Sequence, residues 1–203
     1  AMNISTIAFT RRRATLLLAT LALSAGVALA AEPAAPKVKF ATSEGDFVVE
    51  VYPDKAPKTV ENFLQYVKEK HYDGTIFHRV INNFMVQGGG YDGAYAEKKT
   101  RPPVVHEGRE ALAKGGPKNV VGTLAMARTN DPNSASSQFF INVKDNDFLN
   151  PSTQAPGYTV FGTVVSGMDV VNKIKSVPTG SGGPVPSDVP KTPVMIKSAT
   201  LVN

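Results

Sequence analysis

Short apolar and β-branched runs recur along the chain, and residues 76–79 alternate with a period of about two, which is typical of a β-strand with one buried face. Clusters of Gly, Pro, Asn and Asp separate these runs, and Glu44-Gly45-Asp46 between the first two favours a hairpin. Predicted strands lie within residues 38–41, 47–51, 75–90, 121–127, 138–143, 158–165 and 194–202.

Two segments have the helical period instead. After Pro57, which fits the first turn of a helix, apolar residues recur at the spacing i, i+3, i+4 and i+7. A second, shorter helix is predicted to start within residues 166–169. The predicted buried stripes are Val60, Phe63, Leu64 and Val67 in the first helix and Val170, Val171 and Ile174 in the second.

Two further segments are predicted to lack regular structure. Residues 91–118 are polar and rich in Lys, Gly and Pro, and residues 181–193 form a Pro/Gly-rich loop. Many short strands, two helices and regularly spaced turns favour a closed β-barrel over a parallel sheet, because a parallel sheet needs a helix between neighbouring strands. The length of 203 residues and the 42% hydrophobic content predict one domain with a single core.

Residues 75–90, with the sequence TIFHRVINNFMVQGGG, carry the first candidate chemistry. Arg79 alternates with apolar neighbours, and a charge among apolar residues is costly unless it is paired. Phe84, Met85 and Gln87 follow shortly afterwards, and three glycines then let the backbone turn without side chains. A rigid, charged donor beside an apolar surface can grip a peptide carbonyl and an apolar ring together. A buried arginine in a structural salt bridge fits the same spacing, so both interpretations stay open.

A second candidate group lies within SASSQFF, residues 134–140. Gln138 and Phe140 point to the same face of a strand, and a glutamine among apolar residues must find hydrogen-bond partners. These residues could form the rim of an apolar pocket that also binds a peptide backbone, or they could simply belong to the core. Phe148 and Leu149 follow a polar turn and could cap such a pocket or plug the end of a barrel.

Other kinds of site have little support in the sequence. Residues 88–93 match G-x-G-x-x-G, but no amphipathic helix follows them, so we expect no dinucleotide cofactor. The three histidines, His71, His78 and His106, lack the spacing of a zinc motif, and His78 is interpreted as a hydrogen-bonded core residue. No nucleophile elbow of the form G-x-S-x-G occurs, although a serine-hydrolase triad assembled in space stays an open alternative.

Charge and cysteine content narrow the possible partners. The formal net charge of +5 includes Arg11, Arg12 and Arg13, which belong to a segment that we expect to be removed. Without these three, 19 of the 22 basic groups remain against 17 acidic groups, a net charge of +2 that does not indicate nucleic-acid binding. Cysteine is absent, so an oxidising compartment cannot scramble the protein through disulfides.

Residues 1–31 have the three parts of a secretory signal peptide. The three arginines form the positive region, residues 14–29 the apolar region, and Ala28-Leu29-Ala30 the small-residue cleavage pattern. The apolar run is short for a membrane span and is followed by a Pro/Ala linker over residues 32–37. We expect export to the periplasm by the general secretory route, with no membrane attachment after cleavage. A twin-arginine route and an uncleaved anchor remain alternatives.

The motifs FHRVINNFMVQGGG, GTLAMA, SSQFFI and FGTVVSGMDVV occur in this order, and with them the chain resembles the cyclophilins, which are peptidyl-prolyl cis–trans isomerases. The resemblance extends from about residue 37 to residue 202 and looks closest to the bacterial periplasmic branch. It implies a closed eight-stranded antiparallel β-barrel capped by two α-helices over residues 38–203. It also implies an active site in a groove on the outer surface of the barrel.

The resemblance implies roles for individual residues. Arg79 corresponds to the catalytic arginine, and Gln87 and Gln138 correspond to residues that orient the arginine and the substrate. Ala127 and Arg128 correspond to positions that present backbone groups to the peptide. The full set implied to contact substrate is Phe84, Met85, Ala127, Arg128, Gln138, Phe140, Phe148, Leu149 and Tyr158.

Three of these positions depart from a pattern common in other family members. Arg128 replaces asparagine, Phe148 replaces tryptophan and Tyr158 replaces histidine. A main-chain role survives the change at Arg128. Because Phe148 lacks the larger indole ring and its N–H, we expect cyclosporin to bind only weakly.

The implied activity is faster rotation about X–Pro bonds in proline-containing peptides and unfolded exported proteins, by a monomer without a cofactor. No covalent bond breaks in this reaction, so neither a nucleophile nor a metal is needed. A proline-binding chaperone or scaffold could use the same groove without essential turnover. Arg79, Gln87 and Gln138 favour an enzyme, because binding alone needs only the apolar pocket.

Overall fold

The structure is a computed structural model that describes residues 34–202. The predicted signal peptide over residues 1–31 and the start of the linker lie outside the described residues. The strands are β1 (Lys37–Thr42), β2 (Gly45–Val51), β3 (Thr75–Ile81), β4 (Met85–Asp92), β5 (Thr123–Met126), β6 (Phe139–Asn142), β7 (Val160–Ser166), β8 (Thr179–Gly182), β9 (Val185–Pro190) and β10 (Ile196–Val202). The α-helices are α1 (Pro57–Lys68), α2 (Gly108–Ala113) and α3 (Met168–Lys175), and two 3-10 helices cover Pro132–Ser134 and Asp147–Leu149.

Eight strands form one antiparallel sheet in the order β10-β1-β2-β7-β5-β6-β4-β3. The sheet curls until its two end strands meet. There, the Gly74 N–H donates to the Ile196 carbonyl at 2.8 Å and the Phe77 N–H donates to the Val194 carbonyl at 2.9 Å. The predicted mainly-β fold, with an eight-stranded antiparallel barrel and capping helices, is confirmed.

Aromatic side chains fill the inside of the curled sheet. Phe40 and Phe47 stack with ring centroids 5.0 Å apart, and Phe139 meets Phe40 at 5.5 Å. Phe63 from α1 closes one end of the sheet and packs edge-on against Phe139 at 6.1 Å. All four rings are almost completely buried. The interior is therefore a packed core, and a peptide must bind outside it.

The two predicted helices are present as α1 and α3. In α1, Val60, Phe63 and Val67 are buried, as the apolar spacing predicts, whereas Leu64 is only partly buried against the core. In α3, Val170, Val171 and Ile174 form the buried face. Within residues 34–202 there is no helix long and apolar enough to cross a membrane.

Two segments predicted to be irregular contain regular structure. Residues 91–118 include α2, whose six residues are too short to reveal a repeating apolar stripe. The predicted loop over residues 181–193 contains most of a hairpin between β8 and β9. The Gly and Pro content of these residues predicted a loop. The hairpin was not recognised because its strands are held by backbone pairing and have little apolar alternation.

The role predicted for the three glycines is also wrong. Gly88, Gly89 and Gly90 lie inside β4, and the turn between β3 and β4 falls at residues 82–84. A Cβ atom on Gly90 would lie 2.5 Å from Cγ of Gln138, and one on Gly88 would lie 2.9 Å from the Ile76 carbonyl. The glycines therefore allow close approach of neighbouring groups rather than a change of direction.

Candidate active site

A bulge in β3 turns Arg79 out of the core. The register between β3 and β4 shifts between Phe77 and Arg79, so strict alternation is broken at this point. Phe77 and Val80 both belong to the buried core of the barrel, whereas Arg79 is only partly buried and pairs with Gln87 across the strands. Without the bulge, Arg79 would share the inward face of Phe77.

An apolar cluster separate from the barrel core lies on the outer face of β4, β5 and β6. Cross-strand pairing aligns Gln87 with Phe140 and Phe140 with Ala125. The buried members of the cluster are Met85, Ala125, Phe140, Leu149 and Val160. Three of them, Met85, Phe140 and Leu149, form the floor of a groove of about 430 Å³.

Nine of the predicted site residues line this one groove. Phe84, Ala127 and Tyr158 are the partly buried apolar members that pack against its floor. The nine residues are Arg79, Phe84, Met85, Gln87, Ala127, Arg128, Phe140, Leu149 and Tyr158. The sequence interpretation thus selected residues that the fold brings together from five separate segments.

Arg79 has no charged partner within the described part of the chain. The four salt bridges found there join lysines or Arg101 to other carboxylates, and no side-chain hydrogen bond involves Arg79. The alternative of a structural salt bridge is therefore wrong. A partly buried guanidinium without a partner keeps its donors available to a ligand in the groove.

Gln138 is held beside the groove by a hydrogen bond from Gln87. The Gln87 Nε2 amide donates to Gln138 Oε1 at 3.0 Å, and Gln138 packs tightly against Gly90. Next to it, the Ala127 N–H donates to the Gln138 carbonyl at 3.0 Å, so only the carbonyl of Ala127 can face a peptide. The backbone role implied for Ala127 is thus limited to accepting hydrogen bonds.

The side chain of Arg128 is fixed as part of the groove wall. Its Nε and Nη2 donate to the Gly157 carbonyl at 3.1 and 2.9 Å, and its Nη1 donates to the Thr129 carbonyl at 2.7 Å. The guanidinium also lies 4.5 Å from the ring centroid of Tyr158. Tyr158 in turn packs edge-on against Phe140 at 5.5 Å. Arg128 therefore supports the aromatic wall and has fewer free donors than Arg79.

Phe148 does not lie in the groove itself. Its side chain is 74% exposed and stacks on Phe84 with ring centroids 5.7 Å apart. Leu149, the next residue, turns inward and is buried in the groove floor. Of the two residues predicted to cap a pocket, only Leu149 lines it.

A network of buried asparagines beneath the groove was not predicted from the sequence. Asn146 Nδ2 donates to Asn142 Oδ1 at 2.7 Å and to the Phe84 carbonyl at 2.9 Å. Asn142 donates to Asn119 Oδ1 at 3.1 Å, and Asn119 Nδ2 donates to the Leu149 carbonyl at 3.2 Å. The network holds the backbone carbonyls of Phe84 and Leu149, two residues that line the groove. The only sign of this network in the sequence is Asn142, the polar residue that ends the apolar run of β6.

Burial and the charge of Arg79 together lower the pKa of the neighbouring His78. Burial first, and then the adjacent guanidinium, lower the pKa of His78 to about 4, so the ring is neutral at physiological pH. The ring packs edge-on against Tyr91 at 4.7 Å, but its Nδ1 has no hydrogen-bond partner within the described structure. The prediction of a core histidine is confirmed, whereas its Nδ1 hydrogen bond is missing.

The structure also bears on the alternative site types. The G-x-G-x-x-G match begins inside β4, so its glycines do not open a helix that could bind a pyrophosphate. Among residues 34–202 no three His, Asp or Glu side chains are grouped closely enough to hold a metal ion.

Comparison with known proteins gives the family. The chain is 54% identical over 167 residues to peptidyl-prolyl cis-trans isomerase B of Escherichia coli K12, covering 81% of this chain and 98% of that protein. It is 47% identical over 165 residues to peptidyl-prolyl cis-trans isomerase A of Dickeya dadantii, covering 81% and 84%. The profile of the family described as cyclophilin type peptidyl-prolyl cis-trans isomerase/CLD matches residues 37–201. The chain is a member of the cyclophilin family.

Solved cyclophilins have the same fold. A cyclophilin type isomerase of Cryptosporidium parvum, crystallised in the presence of the dipeptide Ala-Pro, superimposes with a TM-score of 0.65 at 26% identity. The match covers 82% of this chain and 99% of that one. The present cyclophilin is accordingly a peptidyl-prolyl cis–trans isomerase whose substrates are proline-containing peptides.

Proposed function

We propose that the groove accelerates rotation about X–Pro bonds without covalent chemistry, and that Arg79 stabilises the twisted amide. The observation that carries this proposal is the guanidinium of Arg79, which lies without a described partner at the edge of an apolar groove. An apolar floor suits the pyrrolidine ring of proline, and a charged donor suits its nitrogen or the adjacent carbonyl.

The chemistry of the amide explains why such a donor catalyses rotation. In the planar ground state the nitrogen lone pair is delocalised, and the barrier to rotation is about 18–20 kcal/mol. In the twisted state the nitrogen regains its lone pair and can accept a hydrogen bond from Arg79. This interaction is stronger in the transition state than in the ground state, which is the requirement for catalysis.

The size of the effect limits what one residue can supply. A hydrogen bond to a charged group contributes about 1.5–3 kcal/mol, and each tenfold of acceleration needs about 1.4 kcal/mol. Arg79 alone therefore accounts for about one to two powers of ten. The remainder requires that the proline ring be held still while the preceding residue rotates.

The remaining groove residues suit that holding role. Met85, Phe140 and Leu149 offer an apolar floor on which the pyrrolidine ring can rest. The Gln87–Gln138 pair and the Ala127 carbonyl lie beside this floor and can hydrogen-bond the peptide backbone. The Ala-Pro dipeptide present with the Cryptosporidium relative is consistent with an X–Pro ligand of this size.

We further propose that the natural substrates are unfolded exported proteins in the periplasm, which this cyclophilin meets as a monomer. The signal-peptide pattern of residues 1–31 supports export, and the small net charge of the remainder argues against nucleic acid as a partner. Weak cyclosporin binding stays a prediction that depends on the missing indole at Phe148.

The test of the catalytic role is the Arg79→Ala variant. Loss of the charged donor should lower kcat/KM for a proline tetrapeptide about tenfold to a hundredfold in a protease-coupled assay. The matched control is Arg109→Ala, because Arg109 is an exposed arginine of α2 outside the groove and should keep full activity. Near wild-type turnover in Arg79→Ala, with an unchanged unfolding midpoint, would refute the role of Arg79.

The same variant separates an enzyme from a chaperone that only binds proline. Wild type and Arg79→Ala would be expressed in a strain with a periplasmic folding defect. If turnover matters, only the wild type should rescue the defect. Equal rescue by both proteins would favour the binding-only chaperone.

A further inference from the structure

The β8–β9 hairpin forms one wall of the groove. Val185, Pro186, Ser187 and Asp188 line it together with Arg79, although none of the four was predicted from the sequence to belong to the site. Strand β9 packs against β3, which carries Arg79. The hairpin is therefore placed where it can contact a residue next to the bound proline.

The backbone holds Asp188 in a defined position. Its φ angle is +66°, in the left-handed region that Asp and Asn tolerate better than most other side chains. The next two residues, Val189 and Pro190, are buried, and Val189 pairs with Gly180 of β8. An aspartate fixed between a buried anchor and an exposed tip can present its carboxylate to the groove reproducibly.

Asp188 is the only acidic side chain among the residues that line the described groove, beside two arginines. The guanidinium of Arg128 is already bound to the carbonyls of Gly157 and Thr129. Arg79 and Asp188 form no salt bridge within 4.0 Å, and the Asp188 carboxylate accepts a hydrogen bond from the Ser187 hydroxyl at 2.8 Å. The carboxylate thus has no cationic partner among the described residues.

We propose that Asp188 makes this isomerase select substrates with lysine or arginine next to the proline. The proposal rests on the function proposed above for the same groove. A basic side chain that lies along the hairpin would be attracted to the partly buried carboxylate, and an acidic one would be repelled. Selection of this kind acts on substrate choice and leaves the chemistry of rotation to Arg79.

The test compares two peptide series, Ala-X-Pro-Ala and Ala-Ala-Pro-X, in which X is Lys, Ala or Glu. Isomerisation rates are measured by exchange NMR, which needs no coupling protease. For one of the two positions, the wild type should catalyse the Lys peptide about threefold to tenfold faster than the Glu peptide. Asp188→Asn keeps the size and the left-handed backbone of Asp188 and should bring that ratio close to one. Adding salt should weaken the wild-type preference.

Controls distinguish this inference from the function on which it rests. Ser187→Ala removes the neighbouring hydroxyl but not the charge and should keep a Lys-over-Glu preference. The preference is refuted if the wild type is active on Ala-Ala-Pro-Ala but treats Lys and Glu alike at both positions, or if Asp188→Asn slows all peptides equally. Lack of wild-type activity on Ala-Ala-Pro-Ala would instead refute the proposed function itself.

Discussion

Burial, and to a lesser extent the charge of Arg79, makes protonation of His78 unfavourable in the folded protein. His78 is 2% exposed, and its pKa of about 4 in the folded protein lies below the usual value of 6.5. The unfolded chain therefore binds a proton more readily than the folded one as pH falls. The neutral ring contributes stability above pH 6.5, and this contribution is lost progressively as pH falls towards 4.

We expect the free energy of unfolding to depend on pH through His78. Between pH 7 and pH 4.5 this residue alone should remove about 2 kcal/mol of stability. His78→Phe cannot titrate and keeps an aromatic ring against Tyr91, so its stability should fall less over the same range. Urea unfolding of both proteins at the two pH values measures the difference. An identical loss in both would show that His78 does not titrate as the structure indicates.

At the scale of secondary structure, the start of α1 depends on a residue far away in the sequence. Ala56 precedes Pro57 and offers no side chain to cap the helix. Instead, the buried carboxylate of Glu107 accepts hydrogen bonds from the Thr59 N–H at 2.8 Å, the Thr59 hydroxyl at 2.8 Å and the Lys58 N–H at 3.2 Å. The negative charge also lies at the positive end of the helix dipole.

Removing this carboxylate should destabilise the domain. Glu107→Ala leaves three donors without their partner, and we expect a loss of about 2–3 kcal/mol in the free energy of unfolding. Glu61→Ala, on the exposed face of the same helix, is the matched control and should change stability by less than about 0.5 kcal/mol. Chemical denaturation measures both. Equal effects of the two changes would contradict a capping role for Glu107.

The segment predicted to be irregular packs onto the other end of the same helix. Arg101 forms a salt bridge with Glu69 at 2.6 Å, and its N–H donates to the Tyr66 hydroxyl at 2.8 Å. Lys98 Nζ donates to the carbonyls of His71 and Asp73. Although residues 97–103 have almost no regular structure, these contacts tie them to α1 and to the turn that leads into β3. The basic side chains of Lys98 and Arg101 therefore have structural partners here.

For the whole molecule, the sequence predicts an N-terminal segment that is removed and a folded domain that remains. Residues 1–31 are expected to direct export and then be removed, and the described fold begins with β1 at Lys37. We predict that the mature protein recovered from the periplasm of a bacterial host begins within one residue of Glu32. Intact mass spectrometry of the periplasmic fraction measures this. Retention of the full-length mass in the membrane fraction would support the uncleaved anchor instead.

The two export routes can be separated with charge-preserving changes. Replacing Arg11 and Arg12 by lysine keeps the positive region that the general secretory route requires. Export should therefore continue in this variant. Loss of export would indicate the twin-arginine route.

The sequence by itself determined most of the elements and the membership of the groove. Short apolar and β-branched runs gave the strands of the barrel, the stripe of Val60, Phe63 and Val67 gave α1, and family motifs selected nine residues that line one groove. The elements follow from local spacing, which is written directly in the chain, whereas the groove residues follow from the resemblance of these motifs to the cyclophilins. The six-residue α2 and the β8–β9 hairpin were missed because neither has a repeating apolar pattern.

Only the tertiary structure decided how the site works as a unit. The bulge that turns Arg79 outward, its lack of a described ionic partner, the hydrogen bond between Gln87 and Gln138 and the place of Asp188 all depend on contacts between distant segments. The alternation around Arg79 alone points the arginine towards the core. Register and cross-strand partners are set by the packing of the whole barrel, and that packing leaves no signal in the spacing of neighbouring residues.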